Sequence, residues 1–350
     1  MSTPTLDNAA LSELLLIASR EEQDHRRRAL ERASKAAWTW PVEAADVAAE
    51  GRSLTELPAI GPWVGAQIEG WLEQPPASAE VDETRRGFVT YAWVRRVLDA
   101  DPAWESIPLG DLQTHSTDSD GTLPLEEMAE EARARGRAFV AATDHSKSLT
   151  VAHGQDEDEL LAQGRRIDAL NEAFALRGEG FRVLRSIEMD VFEDGTGDMD
   201  PSVLSSLDLV LGAFHSKLRI ADDQTERYLA TLRNPSVHVL AHPRARMFGR
   251  RTGIRADLRR VFAEAARTGT AVEIDANPRR QDLDLDSVRL AVTEGVRWFS
   301  IGSDAHHARE LDVLPIGLAI AAAGGVSRDR ILNFLPADDV IAWAAELSAA

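Results

Sequence analysis

The chain contains no cysteine. That removes disulfides, thiolate zinc sites and cysteine nucleophiles together, and it fits a reducing, cytoplasmic setting. No uninterrupted apolar run approaches the ~20 residues that cross a bilayer, so no membrane partner is expected. The first residues, Met1 to Asp7, lack the basic segment followed by an apolar stretch that marks a secretory signal. There is no G-x-S-x-G elbow for acyl chemistry and no P-loop for nucleoside triphosphates. Positive charge is also short: 39 Lys and Arg stand against 58 Asp and Glu, a net charge of −19. Such a surface disfavours generic polyanion binding, which rests on neutralised phosphates and released counterions. Acids gathered around divalent cations would reverse that sign locally.

With 44% hydrophobic residues in 350, the chain can build one large domain and a small one. Six short apolar runs each stop at a residue able to hold a metal. Leu112 leads to His115, Ala138–Thr143 to Asp144-His145, and Phe181–Ile187 to Glu188-Met189-Asp190. Leu207–Phe214 leads to His215, Val237–Ala241 to His242, and Trp298–Ser303 to Asp304-Ala305-His306. A further strand is expected over Thr270–Asn277. Helical periodicity recurs between the runs, at 125–135, 158–176, 224–232, 255–268 and 285–294. Strand–helix alternation of this kind indicates a parallel α/β fold. In a parallel barrel the C-terminal strand ends share one face, and that face carries the active site. The acids and imidazoles are therefore expected to converge.

Residues 6 to about 72 read as all-helical, with Leu11, Leu14, Leu15 and Ala18 on one face. The run Leu57-Pro58-Ala59-Ile60-Gly61-Pro62-Trp63-Val64-Gly65 resembles a helix-hairpin-helix motif. Its glycine permits a tight turn, and amides opening the second helix face a DNA phosphate. Such contacts carry affinity without sequence preference. Ile60, Gly61, Trp63 and Gly65 are the candidate DNA contacts, with Arg26 and Arg27 as electrostatic partners. The motif departs from its usual form at Ala59, where a glycine is common, and at Trp63, where a small or basic residue is common. Gln74–Ala79 is a linker by composition, and a helix is expected over 82–98.

The motifs Gln113-Thr114-His115, Ser119-Asp120-Gly121, Asp144-His145, Glu188, His215, His242-Pro243 and Asp304-Ala305-His306 together resemble the polymerase and histidinol phosphatase (PHP) family. The resemblance is strongest to the PHP domain of bacterial family X DNA polymerases. It includes Gly249-Arg250-Arg251 and Glu273–Pro278, and it extends to the N-terminal hairpin. The stretch 76–108 is too short to hold a polymerase palm. The organisation implied is a hairpin domain at 1–75, a connecting segment at 76–108, and a distorted seven-stranded (β/α) barrel at 109–345.

The resemblance further implies three divalent metals, as Mn²⁺ or Zn²⁺, with Fe²⁺ as a further candidate. The first would take Gln113, His115, Glu188 and Asp304. The second would take Glu188, His215 and His242, and the third Asp120, His145 and His306. Most members carry histidine where this chain has Gln113, and an amide binds a cation only through its carbonyl oxygen. Glu188, His215, His242 and Asp304 are the catalytic candidates. Lys217, Arg244, Arg246, Arg250, Arg251 and Arg279, in loops after the strands, are candidate phosphate contacts, arginine being suited to bidentate pairing.

These features imply a metal-dependent phosphoesterase acting on DNA 3′ ends, as a 3′–5′ exonuclease, a 3′-phosphatase or an abasic-site enzyme. Two alternatives use the same motifs: a small-molecule phosphatase of the histidinol-phosphatase type, and a non-catalytic DNA-binding scaffold.

Overall fold

A computed structural model describes residues 6–76, 81–106 and 109–349. The expected linker at 74–79 lies partly outside them. The chain divides into two compact units, Met1–Asp101 and Pro102–Ala350.

The first unit is helical, with helices Asn8–Ser19, Asp24–Ala37, Ala44–Ala49, Pro62–Glu73 and Tyr91–Ala100. Leu11, Leu15, Leu30, Ala33, Trp40, Val47, Ile60, Val64 and Ile68 form its core. Where the first helix of the expected hairpin would lie there is only a 3₁₀ turn, Leu54–Glu56, and the expected second helix is Pro62–Glu73. Ala59 turns the chain in a left-handed conformation (φ 65°). A residue with a Cβ pays for that geometry, which is why glycine is usual there.

The helix expected over 82–98 is broken. A 3₁₀ turn at Glu83–Arg85 is followed by Gly87 at φ 71°, and the helix proper starts at Tyr91. Arg85 pairs with Glu13 at 2.9 Å, and the Tyr91 amide donates to the Trp38 carbonyl. The segment expected to connect two domains thus packs within the first unit.

The second unit is a seven-stranded parallel sheet in sequential order, α/β throughout. Its strands are β1 (Asp111–Thr114), β2 (Phe139–Ala142), β3 (Arg182–Asp190), β4 (Leu209–Ala213), β5 (Val239–Leu240), β6 (Ala271–Asp275) and β7 (Phe299–Gly302). The sheet closes on itself. The Ser303 amide donates to Asp111 Oδ1 (3.0 Å), the His115 amide donates to the Ala305 carbonyl (2.8 Å), and Thr114 bridges Ala305 in parallel register. All seven expected strands are present, several shorter than the apolar runs that announced them.

Alternation along the strands decides which side chains enter the barrel. Val140, Ala142 and Val183 pack outward against the helices Leu125–Ala134 and Glu157–Leu176. Phe139, Ala141, Leu184, Leu209, Leu211, Val239 and Ala271 pack inward with Val340 and Ala344 of the C-terminal helix Ala337–Ala349. Two-residue steps from inward Leu184 place Glu188 and Asp190 on the inner face. The same steps from Ala271 place Glu273 and Asp275 there. The apolar floor thus gives way to an acidic upper layer at the C-terminal strand ends. Among the described residues, no helix is long and apolar enough to cross a membrane.

Candidate metal centre

Glu188 is fully buried and central to the upper layer. Four imidazoles approach its carboxylate: His242 Nε2 at 2.5 Å, His215 Nε2 at 3.2 Å, His145 Nδ1 at 3.2 Å and His115 Nε2 at 3.4 Å. Strand register makes this possible, since His145 bridges Glu188 directly in parallel fashion. His115 Nε2 also lies 3.2 Å from Asp304 Oδ1. Asp120 Oδ1 lies 3.2 Å from His306 Nε2 and 3.5 Å from His145 Nε2.

Three groups of donors result, each with its ligand atoms within 4.8 Å of one another. They are His115, Asp120, His145 and His306; His145, Glu188 and His215; and His115, Glu188 and Asp304. Every expected His, Asp and Glu ligand is therefore in the cluster or touching it, but the sharing differs. His115 joins the Asp120 group as well as the Asp304 group. His145, rather than His242, completes the group with His215, while His242 abuts Glu188 from the side.

Gln113 is buried behind these residues. With its amide nitrogen turned toward Glu273 it donates to both carboxylate oxygens, at 2.6 and 3.0 Å. Its carbonyl oxygen is the atom left for a cation. Gly302 makes room for this pair, since a Cβ there would sit 2.4 Å from Glu273 Oε1 and 2.8 Å from the Gln113 Cβ.

The donor set suits divalent cations. Both ring nitrogens of His115 and His215, Nδ1 of His145 and of His242, and Asp304 Oδ1 are buried without a hydrogen-bond partner. A buried polar atom left unpaired is costly, and so many in one pocket of imidazole and carboxylate donors fit Mn²⁺, Zn²⁺ or Fe²⁺. The backbone is strained here too, with His242 at φ 25° and Asp304 at φ 49°. Such conformations persist where surrounding structure over-determines them.

The charges are strongly coupled. Burial alone would raise Glu188, but His145, His242 and His215 outweigh it and hold the carboxyl well below its usual range. Burial likewise opposes Asp304, and Arg280 and His115 overcome it, again downward. Burial lowers His145 to about 3. His215 goes the other way, to about 9, because Glu188 and Asp190 outweigh its burial. Glu273 and Asp275 are pushed up, chiefly by burial and then by neighbouring carboxylates.

Residues outside the expected set hold the ligands in place. Asp190 accepts from the His215 amide and lies 3.3 Å from its Nδ1. Glu273 accepts from the His242 amide at 2.6 Å. Asp144 anchors the loop that carries Asp120, accepting from Ser116 N (2.7 Å), Ser116 Oγ (2.8 Å), Ser119 Oγ (2.6 Å) and Gln163 Nε2 (2.6 Å). Asp144 and Asp190 stand beside expected ligands in sequence. Glu273 and Asp275 were readable as inward positions of a strand otherwise apolar.

The expected phosphate contacts fare unevenly. Arg246 is 3% exposed and its guanidinium is held by Asp284 at 2.6 Å, so burial and pairing withdraw it from the mouth. Arg244 shares the same carboxylate at 3.1 Å. Lys217 is half-exposed and paired with Glu193. Arg250 and Arg279 are exposed. Arg280 was not singled out by sequence; it is Arg280, beside Arg279, that reaches the cluster, with Nε 2.8 Å from Asp304 Oδ2.

In the first unit, Arg27 pairs with Glu31 at 2.9 Å, and Arg26 lies 3.8 Å from Glu22. Arg26 also stacks over the Trp63 ring at 5.2 Å, and Trp63 is 38% exposed. Ile60 is a core residue, and a Cβ at Gly65 would meet Ile60 at an ordinary 3.6 Å. Gly61 caps the helix Pro62–Glu73 without a side-chain bond.

No family model matches the chain. It is similar to the Bacillus subtilis DNA polymerase/3′-5′ exonuclease PolX, 39% identical over 235 residues. That alignment covers 67% of this chain but 40% of the relative, so the chain spans well under half the relative's length. It is also similar to a probable phosphatase of Syntrophotalea carbinolica, 27% identical over 64% of this chain and 90% of that protein. Among solved structures, a zinc-, L-histidinol- and phosphate-bound histidinol phosphate phosphatase from Lactococcus lactis aligns with a TM-score of 0.43. That match is 16% identical and covers 63% of this chain and 95% of the other. The sequence relatives support a protein of the PHP family.

Proposed function

We propose that this protein is a metal-dependent phosphoesterase that hydrolyses phosphate esters at DNA 3′ ends. The observation that carries the reading is the convergence of imidazole and carboxylate donors from the C-terminal ends of β1, β2, β3, β4 and β7, with buried unpartnered atoms among them. His115, His145, His215, His306, Asp120, Glu188 and Asp304 would hold the cations, Glu188 being common to two groups. His242 and the Gln113 carbonyl stand next to them. Bound divalent ions supply Lewis acidity and lower the pKa of coordinated water. The chain's own share is orientation: Asp190 and Glu273 fix two histidines, and Asp144 fixes the Asp120 loop.

DNA as substrate is supported by the resemblance of residues 57–65 to a helix-hairpin-helix motif and by the similarity to PolX, whose name includes a 3′–5′ exonuclease. A small-molecule phosphatase is the second reading. It is favoured by the probable phosphatase, 90% of whose length aligns with 64% of this chain.

One assay separates them. With Mn²⁺ present, the protein is incubated with a labelled primer ending in a 3′-hydroxyl or a 3′-phosphate, and in parallel with histidinol phosphate. Release from DNA is the expected result. Turnover of the small ester alone would install the second reading, and inactivity on all substrates with metal bound would leave a scaffold.

A further inference from the structure

We propose that Arg280 is a substrate-phosphate ligand of this site, anchored to Asp304 through Nε and presenting Nη1 and Nη2 to two non-bridging oxygens of the scissile phosphate. The inference rests on the phosphoesterase reading and deepens it.

Arg280 follows β6 in the turn after Asn277, whose carbonyl accepts from the Arg280 amide. Its Nε approaches Asp304 Oδ2 at 2.8 Å and Asp275 Oδ2 at 3.5 Å. Both carboxylates are buried, and the arginine side chain is 19% exposed, so the guanidinium spans the distance from the acid layer to solvent. Among the described residues, Nη1 and Nη2 donate no hydrogen bond, and neither is a buried unpartnered atom, so both are open to an incoming anion. Two unused donors in a fixed fork match the geometry of a phosphate or carboxylate.

Most of the other guanidiniums nearby are committed, and Arg251 is held through its Nε. Arg244 and Arg246 are held by Asp284, and Arg227 donates to the carbonyls of Val191 and Ser216. Arg251 Nε donates to the Ala245 carbonyl. Burial, and then the nearby charges of Arg280 and Arg219, hold Arg251 below its usual range. A polyvalent anion would relieve the repulsion between such cations.

The test compares wild type with Arg280→Gln and Arg280→Lys, all loaded with Mn²⁺. Inorganic phosphate binding is measured by calorimetry, metal content by elemental analysis, and kcat and KM on p-nitrophenyl phosphate. For Arg280→Gln, phosphate binding is expected to weaken roughly 10- to 100-fold, the loss for a charge-assisted pair. KM should rise in step, with metal content unchanged. Arg280→Lys should fall between, because an ammonium restores charge but not the fork. Phosphate affinity within about twofold of wild type, or loss of metal from Arg280→Gln, would overturn the assignment, the latter making Arg280 only a strut for Asp304. A wild type that binds phosphate more tightly than Arg280→Gln, yet hydrolyses no ester, would support Arg280's role while sinking the phosphoesterase reading.

Discussion

Asp144→Asn is a demanding perturbation because it changes one atom in a fully buried carboxylate. Each oxygen of Asp144 accepts two hydrogen bonds, Oδ1 from Ser116 N and Ser119 Oγ, and Oδ2 from Ser116 Oγ and Gln163 Nε2. Asparagine turns one acceptor oxygen into a donor, so two donors lose their partner and face an amide. A hydrogen bond to a charged group is worth about 1.5–3 kcal/mol, giving roughly 3–6 kcal/mol for two. In a domain of this size each kcal/mol moves Tm by about 2–4 °C, so a loss on the order of 10 °C is expected. Thermal unfolding of the metal-free protein is the measurement, which keeps ligand binding out of the difference. The same change loosens the Ser116–Gly121 loop, so Asp120 should bind metal more weakly in titrations of the folded variant. A Tm within about 2 °C of wild type, less than a single such bond, would refute the view of Asp144 as the loop's anchor.

His238 is buried, accepts from the Val210 amide at Nδ1 and meets Ser348 Oγ at Nε2, so its neutral Nε2–H form is the one the fold uses. Burial lowers it from 6.5 to about 4. Its contribution is therefore complete above about pH 6.5 and lost as pH falls toward 4, by about 3 kcal/mol in all. Denaturant midpoints of wild type and His238→Leu should converge with acid, and a pH-independent gap between them would count against this. Ala59→Gly relieves a left-handed alanine and should stabilise the first unit by roughly 0.5–1 kcal/mol in chemical denaturation; a loss would mean the alanine side chain makes a compensating contact. His215→Ala should abolish ester hydrolysis while leaving DNA affinity in gel-shift titrations within about threefold, under 1 kcal/mol. Equal loss of both would contradict the proposed separation between hydrolysis in the barrel and DNA binding in the first unit.

The donors were legible in sequence because parallel strands deliver their C-terminal ends to one face. A His or acid ending an apolar run has one destination. Which donors share a cation was not legible. The sharing of His115 and His145 depends on ring stacking, with centroids 4.4 Å apart, and on the bridge of His145 to Glu188. Neither leaves a mark in spacing. The arginines failed for a related reason. Arg246, Arg279 and Arg280 look alike as loop cations, and only the positions of Asp284 and Asp304 distinguish a buried pair from a residue at the mouth. The helix expected over 82–98 ignored Gly87, whose left-handed backbone ends regular structure there.

The metal content of the purified chain, measured by elemental analysis after Mn²⁺ loading and desalting, tests the central claim most directly. More than one ion per chain is expected, approaching three, with the count falling in Glu188→Gln because that carboxylate serves two donor groups. A wild-type chain that retains no ion, or a Glu188→Gln chain that retains the full complement, would contradict it.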